Sequence, residues 1–268
     1  EMWQRAFEEI GFKNAIVARD FPKDDPEFDP DNLKYSCVRY SPSPVQNAMG
    51  PSWTDPRTGE VLNASVYLYH NMVQLVQNWR FLQTSPADPD VRKTVLDEKT
   101  TGECIRYVVS HEIGHCLSLM HNMAASAAIP TDSLRSPSFT QREGTTYSIM
   151  DYARNNYVAQ PGDGIALEDL VPRLGEYDLF AIEWGYRYFP EMKDEQEEKA
   201  YLRAWTTRQR TENERRFFGT EYDARNPRCQ SEDLGDNNMK ANELGMENLK
   251  RIVKNITDWT EGDDTFGS

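Results

Sequence analysis

Three of the four histidines in this chain fall within one eleven-residue window, His111-Glu-Ile-Gly-His115-Cys-Leu-Ser-Leu-Met-His121. Histidines and a glutamate at these intervals are the donor set of a catalytic zinc. Positions i and i+4 of a helix share a face, so His111 and His115 can both reach one ion at about 2.0–2.1 Å. Glu112 is turned roughly 100° further round the axis. It misses the ion but reaches a water beside it, which is where a general base belongs. His121 comes six residues after His115, and a continuous helix would aim it away from the ion. The chain must therefore bend sharply between the two. Three protein ligands with a fourth position open is the catalytic pattern; structural zinc sites are closed and usually contain cysteine.

A helix is needed to hold the first two histidines, and the preceding residues predict one. Ile105, Val108, Val109, Ile113 and Leu117 recur mostly at helical spacing. Thr100, Thr101 and Gly102 read as its start, with Glu103 in the first turn. Upstream, Met2, Trp3, Ala6, Phe7 and Ile10 mark an amphipathic helix over residues 2–10. Ala15–Val17, Tyr35–Tyr40 and Val61–Tyr69 read as strands, separated by a Pro- and Asp-rich loop over Phe21–Asn32 and a turn over Trp53–Gly59. A helix over His70–Thr84 runs into the proline-rich break at Pro86–Pro89. His70, the one histidine outside the window, reads as a capping or core residue because the motif already supplies three ligands.

Downstream of His121 no regular pattern holds until Thr146-Tyr-Ser-Ile-Met-Asp-Tyr152. With that segment the sequence resembles the metzincins, zinc endopeptidases named for H-E-x-x-H-x-x-G-x-x-H and a downstream Met-turn. The resemblance implies zinc on His111, His115 and His121, with Glu112 as general base. It places Met150 as the apolar floor of the site and Tyr152 near the metal as a transition-state donor. Thr146–Asp163, Gly50–Glu60 and Tyr177–Tyr186 are in addition similar to a group of large secreted bacterial zinc metalloproteases. That likeness covers most of residues 1–190 and continues more weakly to the end.

The implied fold is α+β. A twisted mixed sheet with long helices (1–122, carrying the active-site helix) lies above an irregular and helical lower subdomain (123–190, carrying the Met-turn). Residues 191–268 read as a helical extension with no chemistry visible in it. The implied partner is a peptide or protein substrate, with other domains of a longer chain. The implied location is extracytoplasmic, and it is taken from the resemblance alone, since the chain as it begins at Glu1 shows no signal-peptide pattern. One zinc is expected; calcium is possible in such a fold but nothing in the sequence indicates it.

Two residues depart from the family pattern. Ser118 stands where metzincins have glycine, and a serine in the left-handed conformation costs on the order of 1 kcal/mol. Asn122, after the third histidine, is not the residue expected of astacins, serralysins, matrixins or adamalysins. Two other readings compete with the peptidase. One is a catalytically weak binding or scaffold module, motivated by Ser118, and the other is a zinc hydrolase of a non-peptide bond.

Composition narrows the classes further. A net charge of −14 argues against nucleic acid, whose phosphates require Lys and Arg clusters. Mean hydropathy of −0.76 and the lack of any 18-residue apolar run argue against a membrane span. Four cysteines give no disulfide framework, since Cys104 and Cys116 on one helix would lie about 18 Å apart. The resemblance also implies that an extended peptide pairs along an edge strand of the upper sheet; Val61–Tyr69 is the candidate, the alternative being a strand inside the sheet with both neighbours occupied. Arg142 and Arg154 are candidates to line the pocket beyond the cut bond, with solvated surface arginines as the equal alternative.

Overall fold

The structure is a computed structural model that describes residues 2–223 and 225–261. It is mixed α+β, as expected, with a small sheet, seven helices and five short 3-10 turns among those residues. Val38–Ser41 (β1), Ala48–Met49 (β2) and Val66–Tyr69 (β5) form a mixed sheet in the order β1-β5-β2, parallel between β1 and β5 and antiparallel between β5 and β2. Ser52–Thr54 (β3) and Val61–Ala64 (β4) form a separate antiparallel ribbon.

The single strand expected over Val61–Tyr69 is thus two strands in two sheets. The break is at Ser65, which is buried; its hydroxyl accepts from the Cys37 amide (3.2 Å) and donates to Asn63 Oδ1 (3.0 Å). Asn63 in turn donates to the Leu33 and Tyr35 carbonyls at 3.0 and 2.8 Å. These side-chain bonds interrupt the ladder at the two polar residues of a run otherwise rich in β-branched and aromatic residues. β5 is paired on both sides, so it is no docking edge. The strand expected at Ala15–Val17 is absent as well; the segment bends across the surface with Val17 exposed.

Met2–Glu9 (α1) buries Trp3, Ala6 and Phe7. Met72–Thr84 (α2) and Glu98–Cys116 (α3) pack together, and Ala48, Met72, Val76 and Cys104 form the core between them and the sheet. α3 starts earlier than Thr100. Asp97 is its cap, accepting from the Thr100 amide at 2.9 Å. The irregular stretch after His121 holds Pro137–Glu143 (α4), and Glu176–Tyr186 (α5) follows the Met-turn. Glu195–Glu212 (α6) and Asn238–Trp259 (α7) are the two helices expected in the extension, with Trp205 and Ile252 buried.

The core that matters for the site joins distant segments. Trp3 and Phe7 of α1, Tyr107 of α3, Ile149 and Met150, and Ile182 of α5 form one apolar cluster. The Trp3 indole donates to the Ser110 carbonyl at 2.8 Å, fixing α1 against the turn of α3 that carries His111. A tryptophan buried to this degree is worth roughly 3–5 kcal/mol against truncation to alanine.

Candidate metal centre

His111, His115 and His121 converge, each with one ring nitrogen within 4.8 Å of those of the other two. The Nε2 atoms of His115 and His121 are 3.1 Å apart. A tetrahedral ion with arms of about 2.0–2.1 Å spaces its ligands roughly 3.3 Å apart, so the separation suits one shared ion. Every outer nitrogen is occupied. His111 Nδ1 bonds the Ile149 carbonyl at 2.8 Å, His115 Nδ1 the Leu119 carbonyl at 2.9 Å, and His121 Nδ1 the Glu221 carboxylate at 2.9 Å. Each acceptor is an oxygen, so each Nδ1 carries the hydrogen and each Nε2 presents a lone pair inward. Burial, with the neighbouring imidazoles, pushes His111 down to about 3, and burial lowers His115 as well, keeping both neutral. Three imidazoles with anchored outer nitrogens fit a zinc ion.

The bend that brings His121 round lies at Ser118, whose φ is 64°. The Ser118 amide donates to the His115 carbonyl at 2.9 Å and the Leu119 amide to the Gly114 carbonyl at 3.0 Å. That bond pair is the Schellman ending of a helix, built here on serine where glycine is usual. Gly114 has a second role. A Cβ there would lie 2.2 Å from the Met150 sulfur, so the bare backbone lets the methionine pack directly beneath the histidine helix. Met150 is fully buried. The Tyr152 ring lies 4.4 Å from that of His121 and 5.5 Å from that of His111.

A family model described as Met-zincin matches residues 93–267, which span α3, the histidine window, the Met-turn and the extension. The chain belongs to this family. Metzincins bind zinc, and the three histidines are the group able to hold it here. No curated protein and no solved structure matches the chain.

In this Met-zincin, Glu112 is 9% exposed, and burial pushes its carboxyl up to about 7 even though it accepts from the Gly50 amide. A Cβ on Gly50 would fall 2.2 Å from the Glu112 carbonyl, so only glycine lets β2 run on this close to α3. Beneath the site, Asp178 at the start of α5 is fully buried and anchors the Met-turn. It accepts from the Ser148 hydroxyl (2.7 Å), the Ile149 amide (2.8 Å) and the Gly175 amide (2.9 Å). The Ile149 carbonyl accepts from His111 Nδ1, so Asp178 orients the first histidine through the same residue.

Three further expectations resolve as follows. His70 stays outside the histidine group, exposed before α2 and hydrogen-bonded to the Tyr40 hydroxyl. Arg142 is not at the site. It pairs with Glu143 and lines a cavity of about 690 Å³ together with Met2, Arg5 and Arg173, and no histidine lines that cavity. Arg154 is close by: its guanidinium lies 4.3 Å from the Tyr152 ring and 4.1 Å from the Trp79 ring, and it is ion-paired to Glu232 at 2.6 Å. The extension read as free of chemistry supplies Glu221 to His121. No spacing rule links those two, because they are 100 residues apart in irregular chain.

Ser118→Gly should stabilise the protein by about 1 kcal/mol or less, as relief of left-handed strain is partly offset by a more flexible unfolded chain. Denaturant unfolding checks this; a clear loss of stability would show that the serine is not strained.

Proposed function

We propose that the chain is a zinc-dependent endopeptidase acting on extended peptides. The observation that carries this reading is the convergence of three Nε2 lone pairs, each fixed from behind, next to a buried glutamate that is not one of them. A zinc ion held by His111, His115 and His121 supplies Lewis acidity to the scissile carbonyl and to the attacking water. Glu112 takes the water proton and delivers it to the leaving amine. Its burial tunes the carboxyl toward neutrality, the range suited to both steps, while the charge of a bound ion pulls the other way. The Tyr152 hydroxyl donates to the developing oxyanion, its ring clamped by Arg154. Met150 closes the floor against water.

The peptide lies along β2, the sheet edge that continues into Gly50 at Glu112, and gains backbone hydrogen bonds by strand addition. Backbone recognition of this kind gives broad specificity. The scaffold alternative loses its motive, since Ser118 makes the required turn with both helix-ending hydrogen bonds intact. The finer placement belongs to the same proposal: a secreted bacterial protease of the Ser-Ile-Met-Asp-Tyr type, extracytoplasmic, divided at 122 and 190. No helix among the described residues is long and apolar enough to cross a membrane.

Elemental analysis of the purified chain should find one zinc, reduced to a small fraction in His115→Ala. Zinc retained unchanged by His115→Ala would remove the site and the reading with it.

A further inference from the structure

The three histidines are not held alike. His111 and His115 sit on α3 and give their Nδ1 hydrogens to backbone carbonyls of the adjoining turns. His121 stands on irregular chain beyond the helix, and its partner is a side chain from the extension, Glu221, at 2.9 Å. No Arg or Lys among the described residues pairs with that carboxylate. Its hydrogen-bonded partner is His121, and its charge also acts on His115.

The approach of Glu221 is built. Asn122 is fully buried; its side-chain amide donates to the Phe217 carbonyl and its oxygen accepts from the Gly219 amide, both at 3.0 Å. The Gly219 carbonyl accepts in turn from the Ala124 amide at 3.3 Å. Gly219 is pressed so closely against Cys229 that a Cβ would meet its sulfur at 2.2 Å. The residue after the third histidine therefore brackets the very segment that returns a carboxylate to that histidine.

We propose that Glu221 is a positioning residue of the metal centre, delivered by residues 217–221 on the Asn122 bracket. The proposal deepens the peptidase reading and rests on its zinc site. The carboxylate fixes the tautomer of His121, locks the ring and strengthens it as a donor, a role whose loss typically costs 10–100-fold in metal affinity. The extension is accordingly part of the machinery, and the departure from other metzincins at Asn122 is the device that couples it.

The test uses the full chain with Glu221→Ala and Glu221→Gln, the near-isosteric amide that can still accept the Nδ1 hydrogen. Zinc affinity is measured by chelator competition, the cobalt-substituted visible spectrum is recorded, and apo-protein melting is followed as a folding control. Glu221→Ala should bind zinc about 10–100-fold more weakly, with Glu221→Gln between it and wild type. Both should shift the cobalt bands while melting stays near wild type, since the Glu221 side chain is 32% exposed. Asn122→Ala should also weaken zinc. Wild-type zinc affinity and an unchanged cobalt spectrum in Glu221→Ala would overturn the proposal alone. Failure of the wild-type chain to bind zinc would overturn the peptidase reading as well.

Discussion

Glu112→Gln should keep its zinc and lose peptide hydrolysis by about 10²–10⁴-fold, the usual worth of a general base. That loss corresponds to roughly 3–5 kcal/mol of transition-state stabilisation. Glutamine matches the shape of the buried glutamate, and its amide oxygen can still accept from the Gly50 amide. The three Nε2 donors are untouched, so metal content and melting temperature should stay at wild-type values. Single-turnover and steady-state cleavage of one peptide, with zinc measured on the same preparation, separate base loss from metal loss. Activity within a few-fold of wild type would show that Glu112 is not the base.

The second large effect should fall on stability. Asp178→Ala removes the acceptor of the buried Ile149 amide and Ser148 hydroxyl in the Met-turn, and of the partly buried Gly175 amide at the start of α5. Each buried donor left unpaired costs about 1–3 kcal/mol, so a combined loss on the order of 3–5 kcal/mol is expected. For a chain of this size that lowers Tm by roughly 10 °C. Asp178→Asn, which keeps an oxygen for the amides, should cost much less. Burial pushes the Asp178 carboxyl up to about 7. An unfolded aspartate titrates near 3.9, so between about pH 4 and 7 the folded state binds this proton more tightly. Its contribution to stability is therefore full at low pH and lost as pH rises through 7. Wild type should decline relative to Asp178→Asn across that window in chemical denaturation. Parallel curves would contradict the assignment.

The three-histidine group was legible because its chemistry is local. One helix turn sets His111 against His115, and the need for a bend before His121 follows from spacing alone; the bend lies at Ser118 as expected. The α+β class was legible through the family resemblance, and the helices α1 and α3 from apolar periodicity. What was not legible depends on single polar side chains reaching across the chain. The Ser65–Asn63 bonds split the run into β4 and β5, leaving β5 inside a sheet whose edges are β1 and β2. Asp178 reads in sequence as an ordinary first-turn acid, yet it holds Ile149 and, through it, His111. Glu221 lies in a stretch with neither periodicity nor motif, where only the folded backbone reveals its partner.

The central claim is peptide-bond hydrolysis that depends on this zinc site. It is tested most directly by incubating the zinc-loaded chain with a proteome-derived peptide library and sequencing the new termini by mass spectrometry, with and without a chelator. The account predicts internal cleavage of many peptides with loose side-chain preference, abolished by the chelator and restored by added zinc. Intact peptides in the zinc-loaded sample, or cleavage that persists undiminished once the metal is removed, would contradict it.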